Sequence, residues 1–520
     1  MTEKIFETTP QLISSGLGIG LGRLVVPLWE QADNIYFDAF AARSNKGHKA
    51  LTWTSLTFDQ HPGAFDAAAH TFDTASTGYS GDLSVPEVPI GLFQQRLRNA
   101  ARKVVVGTHT GLWVSDGESN FIDSSRVGGY TAMLDGIGAR LSTRWSMVQH
   151  GDWVIATNGR EPVQSLKPPV VDFADMPGTA GLFDWAQIVA KLGPHYLFIN
   201  TSNDPREVRW SADGNPEALD PYVYVNAGRL LLGELSTAAI CAVPLGRGLA
   251  VYSRSEMQML NYIGSWGAIG ASTTALIGVG AVSKQSIIPV GAYNVGFQKS
   301  GIFKTDGVGF QIVSDPALGT WLERNVNWEQ GSKIAGRFNP GTKKAIWSFP
   351  QLPSMENNRN LVLDVESGVF SFESSDFAFQ CGTLPDVFID PLVARYNGLI
   401  SYADKGNSVN GGAVSRVLRT KPHDLGKREK WKVLDAVQVE MKINAGAGPT
   451  LRVGQHFAPD DPTAVVEWKG PFTLTPDLKQ FYIEAEGVML EFEFTSGGVD
   501  DDWELNAMKF FGRLEDGAAI

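Results

Sequence analysis

The residues able to do chemistry in this chain are scattered, and their spacings fit no standard site. Gly16-Leu-Gly-Ile-Gly-Leu-Gly22 is glycine-rich enough to suggest a phosphate loop. Such a loop needs a strand before it and a helix after it, with Lys-Ser/Thr closing a P-loop, and none of these flanks the segment. It reads better as an extended N-terminal arm, able to touch a neighbouring subunit. The eight histidines stand at 48, 61, 70, 109, 150, 195, 423 and 456, never at the close spacing that zinc ligation uses. His150 and His195 fall at turns between strands, where a solvated ring is expected. Asp460-Asp461 and Asp500-Asp-Asp502 could offer oxygen ligands to calcium, but consecutive side chains cannot all face one ion and no EF-hand spacing exists. They read as solvated turn residues.

Covalent and acid–base catalysis fare no better. Glycoside cleavage needs two carboxylates at a set separation, and the acidic residues here are spread over turns. The Ser-x-Asp-x-Gly-x-x-Trp box of sialidase repeats is absent; Ser115-Asp-Gly117 and Ser211-Ala-Asp-Gly214 are explained by turn chemistry. No Gly-x-Ser-x-Gly elbow or ordered Ser/His/Asp set is present. Cys241 and Cys381 are far apart in apolar surroundings, which suits buried free thiols. The expectation is therefore no catalytic residue, no cofactor-binding residue, no metal ligand and no cofactor.

Elements rather than motifs carry the information. Spread over 520 residues, 56 Gly and 27 Pro punctuate short apolar runs, as an all-β chain with many turns requires. From residue 101 a unit recurs: a short apolar strand, a tight turn, then a second run with an aromatic or aliphatic centre. The second runs are 111–117, 151–159, 195–200, 248–253, 301–307, 344–349 and 398–404. Their centres, Trp113, Trp153, Leu197, Ala250, Phe303, Ile346 and Ile400, recur at the period of a propeller blade. The innermost strands are expected at 104–106, 146–148, 187–189, 240–243, 287–290 and 333–335. For the seventh, 377–380 and 392–394 compete.

A single four-stranded sheet leaves two apolar faces open, whereas blades stacked around an axis cover both and a closed ring leaves no end. The fold class predicted is all-β: a β-propeller of about seven blades followed by a C-terminal β-sandwich, jelly-roll-like. The division expected is an arm over 1–30, the propeller over 31–412 with clear blades from 101, and the sandwich over 413–520. Strands at 34–38 and 51–58 offer candidates to complete the last blade, while 88–102 carries Leu92, Leu97 and Ala101 at helical spacing and predicts a short helix. The polar linker 407–413 precedes seven alternating strands, at 413–418, 436–442, 450–453, 464–468, 481–484, 489–494 and 503–511.

The formal net charge is −12, the wrong sign for a protein that grips nucleic acid by neutralising phosphates. No signal peptide is visible at the start, and 262–282 is too rich in Gly, Ala, Ser and Thr for a membrane span.

One stretch resembles a known family. VGAVSKQSIIPVG (279–291), GIFKTDG (301–307), IAGRFNP (334–340) and KAIWSFP (344–350), with TKPHDLG (420–426) ahead of a sandwich, are similar to tail-hub proteins of short-tailed bacteriophages. These β-propeller proteins are also called stabilisation or nozzle proteins. The resemblance covers roughly 240–510 and transfers no functional residue. It implies a structural virion protein made in the host cytoplasm, a homo-oligomer forming a hexameric ring below the portal and adaptor proteins. The ring would support tail fibres and guide genomic DNA through its channel without specific binding, which an acidic wall favours. One alternative is a carbohydrate-binding or glycan-cleaving propeller whose sandwich presents Trp431, Trp468 or Trp503 to sugar rings; another is a cellular protein-interaction propeller.

Overall fold

The computed structural model describes residues 3–7, 29–37, 42–44, 46–50, 84–116, 120–131, 144–264, 268–383, 390–409, 412–424, 430–457, 466–475 and 480–516. It is all-β: seven antiparallel blades around one axis, and a two-sheet sandwich. The innermost strands are Gly91–Arg96, Ser146–His150, Ala186–Leu192, Cys241–Leu245, Ile287–Val290, Ala335–Asn339 and Cys381–Gly382. Each touches the next, and the seventh touches the first, so the ring is closed.

The packing explains why the repeats read as unbroken apolar runs. A second strand is buried on both faces, so alternate residues enter different interblade cores. In Trp153–Thr157, Val154 and Ala156 face blade 1 beside Val105 and Trp145, while Ile155 faces blade 3 beside Val189 and Phe198. The same arrangement gives a separate apolar core at every blade junction, including the one that joins blade 7 to blade 1 through Leu392, Ile400, Leu92 and Val104. Between the first two strands of blades 2 to 5, tight turns carry Gly151, Gly193, Gly246 and Gly291, all with φ between +56° and +63°. A two-residue hairpin turn that matches strand twist needs positive φ at its first central position, and glycine adopts it without steric cost.

Three expectations about phase change. Residues 88–102 contain the innermost strand of blade 1, Gly91–Arg96, and not a helix. Ile90 and Leu92 enter different interblade cores, and Leu97 to Ala101 form the hairpin turn, with Ala100 at φ +67°. Residues 104–106 therefore belong to the second strand, and Trp113 to the third. In blades 5 and 7 the runs at 301–307 and 398–404 are likewise third strands, behind Tyr293–Gln298 and Leu392–Ala394. In the other four blades the expected first and second runs fall in the first and second strands, or at the edge of one.

Ring closure uses a strand that neither candidate supplied. Lys49–Ala50 pairs antiparallel with Ile400–Tyr402 as the outer strand of blade 7. The candidate at 51–58 lies outside the described residues. Ile35–Phe37, within the other candidate, pairs with Ala42–Ser44 in the sandwich.

The sandwich is assembled from both ends of the sequence. One sheet runs in the order Ile35–Phe37, Ala42–Ser44, Asp502–Asp516, Lys430–Ala445 and Gln480–Gly487, with Glu3–Glu7 also paired to Asp502–Asp516. The other holds Trp29–Asp33, Arg416–Thr420, Met489–Ser496, Thr450–His456 and Glu467–Thr473. Residues 3–7, 29–33, 35–37 and 42–44, expected in the arm and the propeller, thus lie in sandwich sheets. A parallel bridge from Asp33 to Phe372 joins the second sheet to the outer strand of blade 6. Arg359 reinforces that joint with an ion pair to Asp33 at 2.7 Å, and Asn34 receives a hydrogen bond from the Ser374 amide at 2.8 Å. Inside, Leu434, Val437, Val439 and Met441 alternate toward Phe492, Phe494, Trp503 and Phe510.

Candidate functional site

The functional candidate is the axial mouth on the face where the innermost strands begin. Its floor is a hydrogen-bonded staple built from segments that lead into four different blades. Arg144, entering blade 2, donates Nε to the Ser332 carbonyl at 3.0 Å and Nη2 to the Lys333 carbonyl at 2.5 Å, both leading into blade 6. Its Nη1 reaches the Gln380 carbonyl before blade 7. Lys284, leading into blade 5, donates Nζ back to the Arg144 carbonyl. The Lys284 carbonyl in turn accepts from Cys241 Sγ at 3.1 Å.

A guanidinium can serve three carbonyls at once because its five donors spread in one plane. Desolvation, followed by the neighbouring Arg144 charge, holds the Lys284 ammonium well below the usual lysine range. Burial likewise pushes the Cys241 and Cys381 thiols up to about 12. They are buried free cysteines, as expected, and at that acidity they are protonated and inert near neutral pH.

Above the floor a cleft of about 470 Å³ opens outward between blades 3 and 6. Its axial end is formed by Gln187, Ile240 and Ser332. Its rims are Arg254-Ser255 from blade 4 and Gln298-Lys299-Ser300 from blade 5, with Trp328 and Glu329 as the far wall. Trp328 is fixed by its indole N–H donating to the Glu323 carbonyl at 3.2 Å and by packing on Phe297.

A second buried constellation holds the closure. Arg337 from the innermost strand of blade 6 makes two hydrogen bonds to Asp404, at 2.7 and 2.8 Å, and Asn339 adds a third at 2.8 Å. Burial works against the Asp404 carboxylate, but Arg337 and these hydrogen bonds prevail and hold its pKa at about 2. Beside it, one residue before the closing strand, lies His48, 1% exposed and edge-on to Phe377 at 5.2 Å. Burial, then Arg337, lowers its pKa to about 3, so the ring is neutral at physiological pH.

The other singled-out residues take structural roles. His195 is buried and not solvated: Nδ1 contacts the Ser211 carbonyl at 2.7 Å and Nε2 lies 3.2 Å from Asp213. His150 is half-buried, with Nδ1 2.8 Å from the Tyr196 hydroxyl. Asp501 accepts from the Gly498 and Ala447 amides, and Asp502 binds Lys46 and Ser44. Gly16 to Gly22 and Asp460-Asp461 lie outside the described residues. Among the described residues no group of three or more His, Cys, Asp or Glu is placed to hold a metal ion, and no helix is long and apolar enough to cross a membrane.

Trp503 is fully buried in the sandwich core, and Trp431 is stacked on Phe457. Trp468 lies against Gly454, flanked by Arg419 and Arg452 at 5.3 and 4.9 Å. Each arginine is pinned by a glutamate, Glu491 or Glu493. Nothing in the sequence marked Arg144, Lys284 or the cleft residues as a set, because they approach one another only when the ring closes. The turn glycines were the signal that could have phased the blades and so located the mouth.

No protein-family model matches the chain, and no curated protein matches it. Among solved structures it is similar to BamB from Moraxella catarrhalis, at 10% identity and a TM-score of 0.37, over 61% of this chain and 82% of that one.

Proposed function

We propose that this chain is a structural subunit of a phage tail, a ring-forming hub or nozzle component below the portal and adaptor. The observation that carries the reading is the continuity of sheet from blade 6 through Trp29–Asp33 into the sandwich. A hydrogen-bonded sheet across the junction resists hinge motion, as a subunit that bears load between neighbours requires. The resemblance of the motifs between 240 and 510 to tail-hub proteins supports the same reading. In this role the chain has no catalytic task, and it resides in the virion.

The path for DNA would be the axis of the assembled ring and not that of the propeller, whose own axis is crossed by Arg144 and Lys284. An overall charge of −12 suits passage without adhesion. The test is light scattering coupled to size exclusion, followed by electron microscopy, with and without portal and adaptor proteins. A hexameric ring is the expected result. A strict monomer under every condition that also binds or cleaves a polysaccharide would replace this reading with the glycan alternative.

A further inference from the structure

We infer that the axial cleft is a binding site for an acidic peptide segment of a partner protein, whatever larger assembly the chain enters. Three features of the cleft point to that ligand. Its charge is opposite to that of the chain as a whole. Arg254 and Lys299 stand exposed on facing rims, and Arg254 forms no ion pair among the described residues. Lys299 has only a solvent-exposed partner, Glu323 at 3.4 Å, an arrangement that contributes little and is easily exchanged. At the axial end the Ser332 carbonyl accepts from the buried Arg144 guanidinium, so a full positive charge lies directly beneath the floor, where low polarisability lets its field reach into the cleft. Glu329 is the single carboxylate among the lining residues.

The walls are the second feature. Trp328, Ile240 and Val282 present apolar surface, and a Trp held at both ring and N–H is a rigid anchor of the kind that dominates peptide affinity. The third is the polar equipment for a main chain. Gln298 brings its amide oxygen to the rim, oriented by its Nε2 donating to Ser300 Oγ at 2.7 Å. The size, about 470 Å³, is that of a specific ligand site, and the staple closes the axis so that a segment can dock but not thread. A ligand alternating carboxylate and apolar side chains satisfies all three: acidic groups toward Arg254, Lys299 and the floor, apolar ones against Trp328.

The experiment uses the full-length protein and fluorescein-labelled octapeptides alternating Glu with Leu, Gln with Leu, or Lys with Leu, read by anisotropy. Saturable binding is expected for the Glu peptide alone, weakening as salt rises from about 50 to about 300 mM. The double variant Arg254→Glu, Lys299→Glu should lose about tenfold or more in affinity, since both residues act at the rim. Trp328→Ala should lose a similar factor. Arg254 and Lys299 are exposed, so the double variant keeps the parent melting temperature and separates lost binding from lost folding. Equal binding of the Gln or Lys peptide, or unchanged affinity in the charge-reversed variant, would overturn the proposal. So would tight binding of an oligogalacturonate with none of the Glu peptide.

Discussion

Acid should open the ring at its seam before it unfolds the blades, and His48 sets where. In the closed ring the His48 pKa is about 3, against an ordinary value of 6.5. A base whose pKa is depressed by folding stabilises the folded form above 6.5 and withdraws that stability as pH falls toward 3. The groups that face it act in known senses: Arg337 and Arg395 oppose its protonation and Asp404 favours it. If the opened seam restores the ordinary pKa, closure loses about 2 kcal/mol between pH 7 and pH 5, a factor of roughly 30. Asp404 adds little there, because a carboxylate moving from 3.8 to about 2 withdraws its contribution only below about pH 4.

The assay is native-state hydrogen exchange of the seam amides. The Lys405 amide donates to the Gly47 carbonyl at 2.7 Å, and the Gly47 amide to the Gly406 carbonyl at 2.9 Å. After correction for intrinsic rates, their protection should fall roughly 30-fold from pH 7 to pH 5, while amides of blades 3 and 4 hold. In His48→Leu the seam should lose this dependence. A seam equally acid-sensitive in His48→Leu, or insensitive in the parent protein, would refute the assignment.

Arg144→Leu removes a donor from the Ser332, Lys333 and Gln380 carbonyls. The Lys333 carbonyl keeps Asn357 at 2.7 Å and Ser332 borders the cleft, so the main penalty, about 1–3 kcal/mol, falls on the Gln380 carbonyl and should lower the melting temperature. Arg144→Lys should recover only part, since one ammonium cannot span the acceptors of blades 6 and 7. An unchanged melting curve in Arg144→Leu would show that the staple does not hold the ring. Cys241 and Cys381, with thiols pushed up to about 12 inside the protein, should ignore a thiol reagent in the native state and react as two equivalents in denaturant. Rapid native labelling of either one would contradict its burial.

The sequence shows best what repeats and what is buried on both faces. The second strands of blades 2, 3, 4 and 6 stand out because both faces pack on neighbours, leaving almost no polar interruption in runs such as His195–Thr201 and Lys344–Phe349. Phase was lost where the second strand is less marked than the third: Tyr293–Gln298 carries Asn294 and Gly296, while the following Gly301–Thr305 looks the stronger run. The N-terminal pairings were illegible for another reason. Asp33 meets Phe372, and Lys49 meets Tyr402, across more than three hundred residues, and no local pattern encodes such a partner. The mouth belongs to the same class: Arg144, Lys284 and Trp328 have ordinary local surroundings and acquire meaning only through closure.

That closure also dictates an order of events on the ribosome. Lys49–Ala50 leaves the exit tunnel early, yet its partner Ile400–Tyr402 emerges some three hundred and fifty residues later, so blades accumulate as an open arc with unfinished ends. The strands between 29 and 44 have partners near 372, 417 and 504, and the last two of these emerge later still. A cut at residue 412 would therefore yield two incomplete pieces: a propeller trailing unpaired strands and a sandwich lacking part of both sheets.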